Sequence, residues 1–168
     1  MRAAACALLA VTLSAGPAAA GEDDRSISAS LGYATFSVPD HTPHGGSLDV
    51  AYERGFADAL SFRAEVGGGA YPIGTGSPGY SLQAAVGLTY LFDVVRYVPY
   101  IHAGVGGILL TAPDLDPDLS PLVELGIGLD ILHSRTWSYG AAARFESFVN
   151  DTAFFTAGVR LSYRWGFF

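Results

Sequence analysis

Apolar and polar residues alternate along most of the chain, and clusters rich in Pro, Gly and Asp separate the alternating stretches. A period of two places successive side chains on opposite faces of a β-strand. In the last stretch, Phe155, Val159 and Tyr163 share one face, and Arg160 and Arg164 lie on the other. The pattern predicts eight strands, over residues 26–38, 46–54, 60–71, 80–92, 98–110, 119–131, 137–149 and 152–168.

The two faces of these strands differ in residue size as well as polarity. The polar face consists mostly of Gly, Ser and Ala with a few charges, whereas the apolar face carries aliphatic residues and, near strand ends, aromatic rings. Small residues suit the narrow lumen of an eight-stranded barrel, and rings near strand ends are typical of a membrane interface. A soluble lipocalin-like barrel would turn its apolar face inward and show longer polar side chains to water. We therefore predict an all-β fold, an eight-stranded antiparallel up-and-down transmembrane β-barrel with its apolar face toward lipid.

The charged residues of the polar face support this orientation. An arginine facing lipid near the midplane costs roughly 2 to 4 kcal/mol, and the polar face carries four arginines. In the lumen these arginines would meet acidic residues, and buried charges persist only when they are paired. We predict a lumenal ion-pair network of Asp49, Glu53, Arg63, Glu65, Glu124, Asp130, Arg144, Glu146, Arg160 and Arg164.

Residues 1–20 have the features of a secretory signal peptide. Arg2 supplies a positive start, an apolar run follows, and Ala18, Ala19 and Ala20 form a small-residue cleavage site. Residues 21–168 would then form the barrel domain. Cys6, the single cysteine, falls in the removed segment, so the mature protein would have no thiol for catalysis, metal binding or a disulfide.

Composition narrows the classes of function. The chain has no lysine, and the segment after residue 20 has eight arginines against sixteen acidic residues, a net charge of −8. Such an acidic chain is not expected to bind nucleic acid. That segment also lacks the run of about eighteen apolar residues that a transmembrane helix needs, so a closed sheet is the expected way to span a membrane.

The connections between strands alternate in character. Segments 39–45, 72–79 and 111–118 are rich in Pro, Gly and Asp, whereas segments 55–59, 93–97 and 132–136 are tighter. Outer-membrane barrels have longer loops outside and short turns on the periplasmic side. With both termini periplasmic, the first set of loops would face the exterior.

A few residues invite a chemical interpretation. The aspartates of segment 111–118 alternate as in a calcium loop, but the turn glycine and late glutamate of an EF-hand are missing. His41 and His44 are three apart in a loop, which is weak support for a metal site. His102 falls on the lumenal face, and His133 precedes Ser134 in a turn without a GxSxG elbow. We expect no metal site, no cofactor and no catalytic residue.

Two segments resemble the small outer-membrane β-barrel superfamily that includes the OmpA transmembrane domain and OmpX. They are residues 98–106, Val-Pro-Tyr-Ile-His-Ala-Gly-Val-Gly, and the ending from Gly158 to Trp165. The resemblance implies a location in the bacterial outer membrane, contact with outer-membrane lipid and lipopolysaccharide, and a monomer. It also implies a C-terminal signal for the barrel assembly machinery, formed by Tyr163, Trp165, Phe167 and Phe168.

Three functions are compatible with these features. The preferred hypothesis is a barrel with a plugged polar lumen and a structural or surface-interaction role carried by its exterior loops. The alternative is a narrow pore for ions or small solutes. The second alternative, a lipid A-modifying enzyme, corresponds to the barrel enzymes PagP and PagL. In PagL the histidine and serine stand two apart on a strand, whereas His133 and Ser134 are adjacent.

Overall fold

A computed structural model of the chain describes residues 24–37, 42–72, 78–92, 96–112, 115–148 and 153–166. The signal-peptide segment, Phe167 and Phe168 therefore lie outside the described residues. The strands are β1 Arg25–Ser37, β2 His44–Ala57, β3 Leu60–Tyr71, β4 Gly79–Leu91, β5 Tyr97–Ala112, β6 Leu115–Leu132, β7 Trp137–Phe148 and β8 Ala153–Trp165. The described part of the chain contains no helix long and apolar enough to cross a membrane.

The eight strands form one closed antiparallel barrel in sequence order. Closure comes from β1, which pairs with β2 on one side and with β8 on the other, from Arg25 opposite Trp165 to Ser37 opposite Ala153. Closure removes the free sheet edges that would otherwise present unpaired backbone groups. The predicted fold class is confirmed.

The barrel has two ends, named here by their connections. At the loop end, β1 connects to β2, β3 to β4, β5 to β6, and β7 to β8. At the turn end lie the start of β1, the end of β8 and the connections from β2 to β3, β4 to β5, and β6 to β7. The turn end corresponds to the periplasmic side in the predicted orientation.

The outer and inner faces of the barrel separate by polarity. Leu31, Val105 and Val159 on the outside are 58–67% exposed, whereas Glu146 and Ser162 on the inside are at most 1% exposed. An outer face covered by exposed apolar side chains along all strands, called here the apolar belt, is unfavourable in water and suits a lipid environment. Period two along each strand produces this division, because neighbouring residues point to opposite faces.

Aromatic rings on the outside concentrate at the turn end. Trp137 packs on Tyr163, and Tyr163 stacks on Trp165 with ring centroids 5.7 Å apart. The loop-end margin is sparser: Tyr33 stacks near His44, and Tyr80, Phe145 and Phe155 are exposed. The girdle expected at both margins is therefore strongly asymmetric.

Two boundary predictions were wrong. Most of segment 111–118 is strand rather than loop, because β5 continues to Ala112 and β6 begins at Leu115, with Leu110 opposite Asp118; residues 113 and 114 lie outside the described residues. The long antiparallel pairing of β5 with β6 supplies backbone hydrogen bonds that outweigh the turn-like composition. The last strand also ends early, at Trp165, because Gly166 adopts a left-handed backbone with φ of 100°.

Candidate functional site: the barrel lumen

The lumen near the loop end is filled by an apolar cap. Its core residues are Ala34, Tyr71, Ala85, Ile108, Leu122 and Phe154, with Phe36 and Leu110 packed against them. Phe36 stacks on Phe154 with centroids 4.7 Å apart and meets Tyr71 edge-on at 5.0 Å. The lumen is thus polar in its middle and toward the turn end, and apolar toward the loop end. The cap is therefore an exception to the expected pattern, in which the residues facing the lumen are small or polar.

Below the cap lies an ionic layer centred on Arg144 of β7. Its Nη2 donates to Oδ1 of Asp49 at 2.8 Å, and its Nη1 contacts Glu65. Its Nε lies 2.5 Å from Oε1 of Glu146 without hydrogen-bond geometry. Gln83 donates to both Asp49 and Glu146, at 3.3 and 3.1 Å. One guanidinium therefore joins carboxylates from β2, β3 and β7.

A second arginine, Arg63, continues this layer toward the turn end. Its Nε donates to Oε2 of Glu65 at 2.8 Å, and its Nη1 contacts Glu53. Glu53 also accepts a hydrogen bond from Arg160 at 3.2 Å. Arg160 in turn lies over the ring of Tyr100, with its Cζ 4.6 Å from the ring centroid.

A smaller group lies nearer the turn end. Oδ2 of Asp130 accepts from Nη2 of Arg164 at 3.1 Å and from the hydroxyls of Ser138 and Ser162 at 3.4 and 3.5 Å. The lumen therefore holds two ionic groups that together contain nine of the ten residues predicted for the network. Paired in this way, the charges hold the register of distant strands.

Glu124 is the tenth residue, and the structure does not join it to an arginine. It is 1% exposed, and within the described ranges it makes no ion pair. His102 is also buried, and neither of its ring nitrogens has a hydrogen-bond partner in the described part of the chain. Sequence reasoning placed His102 on the lumenal face but did not connect it with Glu124. The register of β5 against β6, which the sequence does not reveal, brings His102 of β5 close to Glu124 of β6.

Glycines in the lumen make room for these large side chains. A Cβ on Gly128 would fall on the ring of Tyr100, and one on Gly126 would fall on the ring of His102. Each glycine lies opposite the residue it accommodates in the pairing of β5 with β6. The glycines of the polar face therefore specify which large side chains the narrow lumen can hold.

We expect Gly128→Ala to lower the free energy of unfolding by about 1–3 kcal/mol, because the added methyl forces the packed Tyr100 ring to move. Gly107→Ala is the matched control, since its Cβ would meet Leu119 Cδ1 at an ordinary 3.6 Å. Urea unfolding in lipid vesicles, followed by tryptophan fluorescence, measures both. Equal midpoints for the two variants would contradict this packing.

The other sequence candidates that the structure describes do not form a site. His133 and Ser134 lie in the exposed turn after β6, and Ser134 Oγ accepts hydrogen bonds from the backbone nitrogens of Thr136 and Trp137 at 3.3 and 3.0 Å. His44 contacts the hydroxyl of Tyr33 through Nδ1. His41 and Asp114 lie outside the described residues, and Asp116 and Asp118 belong to β6.

The residues proposed to guide assembly are partly described. Tyr163 lies on the outer face of β8 and is 38% exposed, and Trp165 is half-buried beside it. The centroid of Trp165 is 6.4 Å from that of Tyr52 on β2. Tyr163 and Trp165 therefore belong to the aromatic band of the turn end.

No family model and no curated protein sequence matches the chain. Solved structures do match its fold. Neisserial surface protein A is 12% identical with a TM-score of 0.73, and the match covers 84% of this chain and 99% of that one. Ail, the attachment invasion locus protein of Yersinia pestis, is 14% identical with a TM-score of 0.60 over 86% and 99% of the two chains.

The outer membrane enzyme PagL is also similar, with 17% identity and a TM-score of 0.52 over 84% of this chain and 99% of PagL. Ail has also been described as an outer membrane protein. At these identities the likeness shows the fold, which is that of the small outer-membrane β-barrels. The predicted resemblance is confirmed at this level, and the outer-membrane location predicted from the sequence agrees with these neighbours.

Proposed function

We propose that the chain is an outer-membrane barrel with a closed lumen, and that its role is structural or one of surface interaction carried by the loop end. The observation that carries this proposal is the double obstruction of the lumen. Tyr71, Ile108 and Phe154 fill it near the loop end, and the Arg144 and Arg63 ion pairs fill it below. A cavity of about 30 Å³ lies beside this ionic layer, which is room for about two waters.

The charge of the loop end indicates what it would contact. The connections there and the first residues of β6 carry Asp40, Asp114, Asp116, Asp118 and Asp151, with no arginine or lysine. An Ail structure holds the heparin analogue sucrose octasulfate. A polyanion of that kind would be repelled here, so a neutral or basic surface is the better partner.

The outer surface of the barrel indicates the other partners in this proposal, which are lipids and the machinery that inserts the barrel. The apolar belt would contact outer-membrane lipid and, at the loop end, lipopolysaccharide. The outward rings of β8 would be available to the barrel assembly machinery during insertion. A closed sheet has no edge strand left for pairing with a second copy, which favours a monomer.

The proposal predicts that purified protein gives no steady conductance in planar lipid bilayers. Phe154→Ala is expected to remain silent too, because the Arg144 layer still closes the lumen below the cap. Phe155→Ala, on the outer face of the same strand, is the matched control. Reproducible unit currents from the unmodified protein would favour the alternative, a narrow pore for ions or small solutes.

The proposal assigns no catalysis to the chain. Ser134 Oγ accepts hydrogen bonds from two backbone nitrogens of its own turn, and His102, the sixth residue of β5, faces the lumen. The two residues with esterase-like chemistry therefore lie in different parts of the barrel. Mass spectrometry of lipid A from cells expressing the protein tests this point. A lipid A change that disappears in Ser134→Ala would establish the enzyme alternative.

A further inference from the structure

We propose that the lumen contains a binding site for one divalent transition-metal ion of the zinc type, formed by Glu65 of β3, His102 of β5 and Glu124 of β6. One ligand atom from each of the three residues lies within 4.8 Å of the others. All three side chains are buried. The site goes beyond the structural role proposed above, and it could exist whichever role the loop end has.

His102 is the first observation that points to a ligand. It is only 5% exposed, and both Nδ1 and Nε2 lack a hydrogen-bond partner in the described part of the chain. A buried polar group without a partner destabilises the protein, because its hydrogen bonds to water are lost on folding and no hydrogen bond within the protein replaces them. An imidazole nitrogen is a common zinc ligand, so a bound ion would give one nitrogen of the His102 ring a partner.

The balance of charge is the second observation. The ten predicted network residues comprise six carboxylates and four guanidinium groups, so with every group ionised this network would carry two negative charges in excess. Glu124 contributes to that excess, since it has no arginine partner among the described residues. It also lies opposite Glu146 in the pairing of β6 with β7, which places like charges on adjacent strands. One divalent cation would neutralise the excess.

The ligand set favours a borderline metal over calcium or magnesium. One imidazole and two carboxylates suit zinc, manganese or cobalt, whereas calcium and magnesium prefer oxygen ligands alone. Zinc bonds of about 2.0–2.2 Å place tetrahedral ligand atoms roughly 3.4 Å apart, so the three side chains would move slightly inward on binding. Glu65 can take part while contacting Arg63 and Arg144, because an ionised carboxylate has about four acceptor positions.

The barrel positions these ligands on rigid elements. Gly126 lies opposite His102, and Gly104 lies opposite Glu124, in the pairing of β5 with β6. A Cβ on either glycine would collide with the facing ligand side chain. The site therefore depends on two glycines that leave room for its ligands, and the nearby cavity of about 30 Å³ borders His102.

The test uses untagged protein, purified from outer membranes in detergent, stripped with a chelator and dialysed against Zn²⁺. We expect one zinc per chain by elemental analysis, and Mg²⁺ in excess should not displace it. His102→Ala and Glu124→Gln should each weaken zinc binding by more than about tenfold, since even outer-shell partners typically contribute that much. His133→Ala removes an exposed histidine and should leave binding unchanged.

Two results would overturn the proposal. Zinc binding that is equally strong in both lumenal variants would assign the ion to the surface, and no binding at all would mean that protons balance the lumenal charge. Retained heat-modifiable migration on gels shows that a variant is folded. If neither variant folds, ¹⁵N-histidine spectra of the unmodified protein decide the question. Zinc should shift the ring nitrogens of His102 alone, and unshifted His102 signals would refute the site.

Discussion

Replacing Arg144 with leucine is expected to lower the free energy of unfolding by about 3–5 kcal/mol, the usual effect of removing one partner from a buried ion pair. Arg144 is 6% exposed, and it is the one arginine of the described chain in contact with Asp49 and with Glu146. Glu65 would keep Arg63. The substitution therefore leaves two buried carboxylates whose negative charge has no adjacent cation.

Unfolding in urea, with the protein in lipid vesicles, measures this effect. Arg135→Leu is the matched control, because it removes the same charge from an exposed turn residue and should change stability by less than about 0.5 kcal/mol. Val86→Leu, on the lipid face, should be nearly neutral as well. If Arg144→Leu and Val86→Leu unfold at the same urea concentration, the lumenal pairs do not stabilise the barrel.

Placing an arginine on the outer face is expected to have the second large effect. Leu125 lies near the middle of β6 and is 59% exposed on the apolar belt. Leu125→Arg should lower the free energy of unfolding in a bilayer by about 2–4 kcal/mol, because a guanidinium near the midplane of the hydrocarbon loses its hydration.

Depth within the bilayer supplies the control for this second prediction. Leu119, on the same strand and 74% exposed, lies closer to the loop end. Leu119→Arg should therefore lower the free energy of unfolding by less, about 0–1 kcal/mol, because an arginine near the membrane interface can keep its hydration. Both variants are measured by folding into vesicles across a urea series. A soluble barrel would tolerate both changes on its surface, so equal and small effects would argue against a lipid-facing belt.

The strand pattern allowed most of the fold to be predicted. Seven of the eight strand predictions differ from the structure by at most three residues at either end, because the period of two continues nearly to the ends of those strands. The strand pattern was misleading where the type of a residue suggests one position in the barrel and the pairing of its strand gives it another. Asp116 and Asp118 favour a loop by composition, yet both lie within β6, and Asp118 pairs with Leu110 of β5. Phe154 and Ile108 are apolar, yet they face the lumen and form the cap.

The candidate site was less predictable than the fold. The alternation showed which charged residues share the lumenal face, because that depends only on their position along a strand. It could not show that Arg144 contacts carboxylates of β2 and β3, or that Glu124 contacts no arginine of the described chain, because contacts across the lumen join strands far apart in the sequence. Arg144 and Asp49, for example, are separated by 95 positions.

The sequence by itself determined that this protein forms amphipathic strands, and which residues of each strand share a face, since both follow from a local period of two. Only the tertiary structure decided the closure of β1 on β8, the pairing of each arginine, the apolar cap and the meeting of Glu65, His102 and Glu124. The physical reason is register. The offset between neighbouring strands sets which side chains meet across the lumen, and that offset is fixed by all eight strands together.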